Sequence, residues 1–267
     1  MKDISLANRV IMVTGASRGI GLIMARAFIE RGAFVVATGS KNSPELAAVK
    51  AEFGDRAICV SSDVTNPDNA ADLIAQTIKR WGKIDVLVNN AGLGMRAISE
   101  KFNTTPTKFW ESDLSAWQRI IKTNINGPFY LSRYAVPHML EASYGKIINI
   151  STSYQTMVRQ GYSPYGSSKA FLEAATRSWV DELKETKITV NVLLPGGATD
   201  TDLLPPSENK KGADGNLLKP SIMIEPAVWL ASELSDGVTG GRFIAKLWNS
   251  EDPDLARSDT KLVPSIM

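Results

Sequence analysis

The chain has 267 residues, 43% of them hydrophobic and 22% charged, which suits one large α/β domain or two small ones with a full core. Its 30 basic and 28 acidic residues leave a net charge of +2, which removes the electrostatic case for nucleic acid or a membrane surface as main partner. One cysteine, Cys59, excludes an internal disulfide and any cysteine-rich metal site, and its apolar setting predicts a buried structural thiol. No stretch approaches ~18 consecutive apolar residues. The N-terminus has no apolar signal core, so the expectation is a cytoplasmic protein without a membrane span.

Taken in chain order, apolar runs at 9–15, 33–39, 56–62, 84–92, 145–152 and 188–196 read as strands, and 241–247 reads as a seventh. Each is continuous in Val, Ile and Leu rather than alternating, the pattern of a parallel sheet covered on both faces. Helical patterns fill the intervals. The first, 19–33, puts Ile20, Met24, Ala27 and Phe28 on one face. Those at 44–54 and 66–82 carry Pro near the start and Gly at the end. The longest cover 114–142 and 163–185. This alternation predicts an α/β fold: a doubly wound parallel sheet of about seven strands with helices on both faces, in a single domain over 1–267. Segments 93–112 and 197–224 read as substrate loops, because both follow strand C-terminal ends. The tail, 249–267, has no periodicity and is expected to be ordered in part by partner contacts.

Residues 14–21 read TGASRGIG and sit where a strand turns into a helix. Glycine is needed where the chain turns sharply and where a phosphate approaches the backbone. A helix N-terminus then offers free N–H groups to a pyrophosphate. The spacing of Gly15, Gly19 and Gly21 resembles the glycine signature of the short-chain dehydrogenase/reductase family. Further motifs match in the expected order from about residue 6 to about residue 245: Asp63-Val64, NNAG at 89–92, and PGG at 195–197. The resemblance is to the NADP(H)-preferring members, including ketoreductases of the 3-oxoacyl-[acyl-carrier-protein] reductase type. It implies a Rossmann-type fold. It also implies cofactor contacts from Gly15, Ser17, Arg18, Gly19, Ile20 and Gly21, from Asp63 and Val64 at the adenine, and from Asn90, Ala91 and Gly92 beside the adenosine. Pro195 and Gly196 would approach the nicotinamide, with its carboxamide held by Thr199 or Thr201.

An NAD site places an acid at the end of the second strand to hold the ribose 2′-hydroxyl. Here that place is Gly39, followed by Ser40 and Lys41. A hydroxyl and an ammonium attract a 2′-phosphate, and Arg18 adds a second cation. NADP(H) is therefore expected, with NAD(H) as the alternative.

Tyr165 and Lys169 stand four apart, on one face of the helix expected over 163–185. An ammonium beside a phenol of ordinary pKa near ~10 lowers it, so that it can exchange a proton with a carbonyl or alcohol oxygen. The resemblance implies the same roles: Tyr165 as acid/base, Lys169 on the nicotinamide ribose. It also implies a serine just past the fifth strand that polarises the substrate oxygen. Position 152 is threonine, and either Thr152 or Ser153 is expected to supply the hydroxyl. Asn124, in KTNINGPF, matches the family asparagine that distorts its helix and completes the relay to lysine. Tyr162 lacks a charged partner four residues on and is expected to pack over the site. The one histidine, His138, and the lack of any His, Cys and carboxylate cluster in the sequence give no metal site.

These readings converge on a hydride-transferring oxidoreductase acting on a ketone or secondary alcohol. The competing reading is a non-catalytic dinucleotide sensor or scaffold on the same fold. Met95, Arg96, Trp110, Met157, Arg159 and Leu203, in segments 93–112, 154–162 and 197–224, suggest a small molecule with apolar and anionic parts. The resemblance implies a homodimer or homotetramer. The family's usual V-D-G-G ending is replaced here by GRFIAKLWNSEDP, which puts the familiar assembly in question.

Overall fold

A computed structural model describes residues 4–207, 210–212 and 215–258. Part of the expected second substrate loop (208, 209, 213 and 214) and of the tail (259–267) lies outside the described residues.

All seven expected strands form, and every neighbouring pair is parallel. They are β1 (Val10–Val13), β2 (Phe34–Gly39), β3 (Ala57–Ser61), β4 (Val86–Asn89), β5 (Gly145–Ile150), β6 (Ile188–Leu194) and β7 (Arg242–Ile244). Their order in the sheet is β3-β2-β1-β4-β5-β6-β7. Every residue of β1, β4, β5 and β6 is buried, which is why these strands lack alternation. The period of two shows instead in which layer each side chain joins. Ile11 and Val13 enter one core with Phe28, Leu193 and Phe243, whereas Met12 enters the other with Leu73, Leu131 and Val190.

The edge strands are covered less well. In β3, Ile58, Cys59 and Val60 are half-buried, so Cys59 is less enclosed than its apolar run suggests. Burial still pushes its thiol pKa up. β7 stops after three residues because Ala245–Leu247 turns into a 3-10 helix. The chain then comes back through Pro253–Ala256, and Arg257 bridges antiparallel to Phe243.

The helices are α1 (Gly19–Glu30), α2 (Pro44–Phe53), α3 (Pro67–Trp81), α4 (Leu114–Ile121), α5 (Gly127–Glu141), α6 (Tyr154–Met157), α7 (Tyr165–Glu182) and α8 (Ile224–Ala231). Side-chain oxygens cap several of them: Ser43 accepts from Leu46 N–H, Asn66 from Asp68 N–H and Asp113 from Ala116 N–H. α1 has no such cap and no acidic residue in its first turn. The long pattern over 114–142 is two helices joined by a π-helical turn, Lys122–Asn126. α8 was not foreseen. Five of its eight residues are buried, so IEPAVWLA presents no amphipathic period to read. Among the described residues no helix is long and apolar enough to cross a membrane.

Strand order reverses between β1 and β4. The glycine loop follows β1, NNAG ends β4, residues 151–153 follow β5 and PGG follows β6. The carboxyl ends thus bring four separated motifs to one crevice.

Candidate active site

The glycine loop is held from beneath by Asn90. Its amide Nδ2 donates to the Thr14 and Gly15 carbonyls at 2.8 and 3.1 Å. The Thr14 hydroxyl accepts in turn from Asn90 and Ala91 N–H at 3.1 and 3.0 Å. Gly15 has φ +63, and a Cβ there would lie 2.8 Å from Ala91 Cα. A Cβ on Gly21 would strike the Gly15 carbonyl and the Asn90 amide. The loop is therefore bare backbone leading into the uncapped N-terminus of α1. That arrangement fits an anionic diphosphate, whose oxygens would take the place of the missing cap.

At the end of β2, a Cβ on Gly39 would stand 2.8 Å from Ser17 Cβ. An acid at position 39 is thus excluded by space as well as by sequence. Ser40 and Lys41 are exposed beside it, and Lys41 makes no ion pair among the described residues. Arg18 faces Asp202 at 3.5 Å, with both side chains largely exposed, a weak pair that leaves the cation available. Asp63 is exposed and accepts from Thr65 N–H at 2.9 Å. Val64 is buried, close to Gly127 at the start of α5.

The chemical groups meet where β5, α7 and the π turn converge. Thr152 is the neighbouring hydroxyl that pulls the Tyr165 phenol down. Ser153 is used elsewhere: its hydroxyl caps α6, accepting from Thr156 N–H at 3.3 Å and pairing with the Thr156 hydroxyl at 2.9 Å. Ser151 faces the other way and donates to Glu173 at 2.6 Å. Of the three hydroxyls in the STS run, the structure thus sets Thr152 against the phenol.

Lys169 lies one turn beyond Tyr165, is 5% exposed, and donates from Nζ to the Ile150 carbonyl at 2.7 Å. Burial pushes its amine down to about 8, against an upward pull from Glu173. Burial pushes the Tyr165 phenol up to about 12, the Thr152 hydrogen bond pulls it down, and Tyr162 adds to the rise. The expected lowering of Tyr165 by the lysine charge is not found: desolvation dominates, and the lowering influence is the Thr152 hydroxyl. Asn124 is fully buried in the π turn. Its Oδ1 accepts from Leu93 N–H at 2.8 Å, and its Nδ2 donates to the Leu93 carbonyl and the Ser168 hydroxyl at 3.0 and 2.9 Å. A Cβ on Gly92 would fall 3.5 Å from Asn124 Oδ1 and 3.7 Å from Lys169 Nζ, so these two groups flank the same bare stretch of backbone.

After β6, Gly196 has φ +90, and a Cβ there would meet Ile244 and Lys246. The Pro195 carbonyl accepts from Lys246 N–H at 3.0 Å. Thr199 is buried and bonded to the Gly197 carbonyl at 3.3 Å, whereas Thr201 lies over Gly19 of the cradle, its Cγ2 3.2 Å from a Cβ placed there. Three loops clasp one another above the crevice. Thr107 donates to the Gly161 carbonyl at 2.8 Å, Phe102 meets Tyr162 edge-on at 5.7 Å, and Arg96 donates to the Asp202 carbonyl at 3.1 Å. Tyr162 packs against Phe102, with the Arg159 guanidinium 4.8 Å from its ring centre.

The family model described as short chain dehydrogenase matches residues 9–212. The chain is a short-chain dehydrogenase. This short-chain dehydrogenase is 33% identical to a cis-4-hydroxycyclohexanecarboxylate dehydrogenase of Sinomonas cyclohexanicum, over 88% of the chain and 94% of that relative. It is 31% identical to an NADP-dependent 3-hydroxy acid dehydrogenase of Escherichia coli, over 84% and 89%. It is 35% identical to a 3-oxoacyl-[acyl-carrier-protein] reductase of Synechocystis, over 72% and 75%. As a short-chain dehydrogenase it is an oxidoreductase of CH–OH and C=O groups that uses a nicotinamide dinucleotide.

Sequence reasoning missed three polar partners of the site: Ser168 beneath Asn124, and the pair Glu173 and Arg242. Glu173 was within reach of the helical spacing, because it continues the Tyr165–Lys169 face by one more turn. Arg242 shows only as a lone cation opening an apolar strand.

Proposed function

We propose that this short-chain dehydrogenase is an NADP(H)-dependent ketoreductase, working reversibly on a secondary alcohol, with Tyr165 as acid/base. The observation that carries the reading is buried Lys169 one helical turn beyond Tyr165, with the Thr152 hydroxyl beside the phenol, in the crevice that also holds the uncapped cradle. The cradle residues Gly15, Ser17, Gly19, Ile20 and Gly21 would hold the diphosphate. Ser40, Lys41 and Arg18 would hold the 2′-phosphate, and Asp63, Val64 and Asn90 to Gly92 the adenosine. Lys169 would bind the nicotinamide ribose, and Pro195, Gly196 and Thr199 or Thr201 the nicotinamide. The bound dinucleotide would supply or accept the hydride. Thr152 holds the substrate oxygen. Tyr165, protonated at neutral pH, donates its proton to that oxygen during reduction and recovers it in the reverse direction. Asn124 keeps the π turn and the loop after β4 in place beside Lys169. The dinucleotide-sensor reading has no comparable support, because a sensor needs no phenol–hydroxyl pair.

The three named relatives act on hydroxy acids or an oxoacyl thioester, which supports an alcohol or ketone carried on a molecule with a carboxyl or thioester group. A panel of oxo acids, oxoacyl thioesters and neutral ketones, followed by NADPH oxidation, tests the proposal. Turnover confined to neutral ketones removes the acid class, and no turnover with any of them removes the ketoreductase reading. A homodimer or homotetramer belongs to the same proposal and is measured by light scattering.

Two substitutions sharpen the assignment. Ser40→Asp with Lys41→Ala exchanges attraction for repulsion at the 2′-phosphate. Charge-assisted hydrogen bonds are worth about 1.5–3 kcal/mol, so the NADPH-to-NADH ratio of kcat/KM should fall about 10–100-fold. An unchanged ratio would remove these residues from cofactor selection. Thr152→Ala should lower kcat about 10²-fold and Thr152→Ser should restore most of it, whereas Ser153→Ala should stay within about threefold of wild type. The reverse ranking would move the role to Ser153.

A further inference from the structure

We propose that Arg242 and Glu173 form a positioning pair, through which the C-terminal return of the chain holds Thr152 in line with Tyr165. The inference rests on the catalytic reading above, and Arg242 lies beyond the residues that the family model matches.

Thr152 and Tyr165 belong to different elements. One follows the end of β5 and the other begins α7, so their approach depends on how those elements sit against each other. Arg242 joins them. Its Nε donates to both Glu173 carboxylate oxygens at 3.0 and 2.9 Å, and Glu173 rises from α7 one turn beyond Lys169. Its Nη2 donates to the Thr152 main-chain carbonyl at 2.9 Å. The Glu173 carboxylate also accepts from Ser151 at 2.6 Å, so both residues before the turn at 153 are tied to the same ion pair. Arg242 Nη1 reaches the Ser258 hydroxyl at 2.9 Å, and Ser258 N–H donates to the Arg242 carbonyl at 2.9 Å. One planar guanidinium thus spans β5, α7 and the segment that comes back after β7. Its fixed fork sets angles as well as distances, which a lysine cannot do.

The two side chains are 14% and 17% exposed. Pairs buried to this degree can often be replaced by apolar residues of similar volume without loss of stability, whereas removal of one partner leaves an uncompensated charge. This separates positioning from folding. In the full chain, Glu173→Leu with Arg242→Met should keep the thermal midpoint close to wild type and hold the NADPH Kd, read by fluorescence titration, within about threefold. Its kcat should fall on the order of 10²-fold, as small misplacements of reacting groups do, with KM little changed. Arg242→Lys keeps the charge and loses the fork, so it should lose at least about tenfold in kcat. This variant decides the matter if the double variant does not fold. A kcat within tenfold of wild type, in whichever variant folds with normal NADPH affinity, overturns the proposal. The two readings fail separately. Full turnover of Tyr165→Phe would sink the catalytic reading itself. A dead Tyr165→Phe beside a fully active double variant would sink only the positioning pair.

Discussion

Tyr165→Phe should bind NADPH as wild type does and lose on the order of 10³-fold in kcat. The substitution removes one oxygen. The ring keeps its place at the start of α7, so the crevice and the cradle are undisturbed. What is lost is the group that gives a proton to the substrate oxygen, and a positioned acid or base contributes about 10²–10⁴-fold. Thr152 remains able to hold the oxygen but has no second proton to supply. The pH profile carries a further sign. Burial holds the Tyr165 phenol up to about 12, so across the neutral range it is in the form that reduction requires. Reduction by the wild type should not be lost, through this group, between pH 6 and pH 9, and a base-limited fall there would contradict the assignment. Pre-steady-state NADPH oxidation measures the step directly. A Phe variant within tenfold of wild type would take the proton away from Tyr165.

Lys169→Met should be more stable than wild type and far less active. Each pKa unit corresponds to about 1.4 kcal/mol. The Lys169 amine is pushed from 10.5 down to about 8, so holding its charge inside the fold costs about 3 kcal/mol, of which the lost charge-assisted hydrogen bond to Ile150 offsets about 1.5–3. The net gain is at most about 1.5 kcal/mol, a few degrees in thermal midpoint for a chain of this size. Glu173 is not orphaned by the change, because Arg242 and Ser151 still hold it. The sign with pH follows from the lowered value. Below pH 8 the amine is charged in both folded and unfolded chains, and the penalty is complete. Between 8 and 10.5 the unfolded chain binds a proton that the folded chain does not, so wild-type stability climbs with pH and the advantage of the Met variant closes. Thermal melts at pH 7 and pH 10, without added dinucleotide, give both numbers. A Met variant less stable than wild type at pH 7 would mean that Lys169 is held by more than the Ile150 carbonyl. Turnover should fall on the order of 10²-fold or more, because the proposed contact to the nicotinamide ribose is lost.

Much of the fold was legible because parallel strands buried on both faces must be apolar throughout, and seven such runs stand in the sequence. The cradle was legible because only glycine fits where Gly15 and Gly21 lie. What the letters left open depended on contacts far along the chain. The STS run offers three hydroxyls, and the choice of Thr152 follows from a cap on α6 for Ser153 and, for Ser151, a hydrogen bond to Glu173, itself paired with Arg242 of β7. The break between α4 and α5 is a π turn that Asn124 shares with Leu93 and Ser168, which helical periodicity alone does not report. The strand expected over 241–247 forms, but its early end at Ile244 and the return at Arg257 were not legible, because neither has a local pattern.

The uncapped start of α1 has a consequence outside catalysis. On the proposed placement of the diphosphate, the first helix would be finished by a ligand, and the fold would be partly specified by the metabolite pool around it. By mass action, a ligand present at a hundred times its Kd adds about 2.7 kcal/mol to folding. Newly made chains would then mature, and old ones resist proteolysis, in proportion to the dinucleotide at hand. The abundance of the protein would then follow the total dinucleotide around it, oxidised and reduced alike, because both forms carry the same diphosphate.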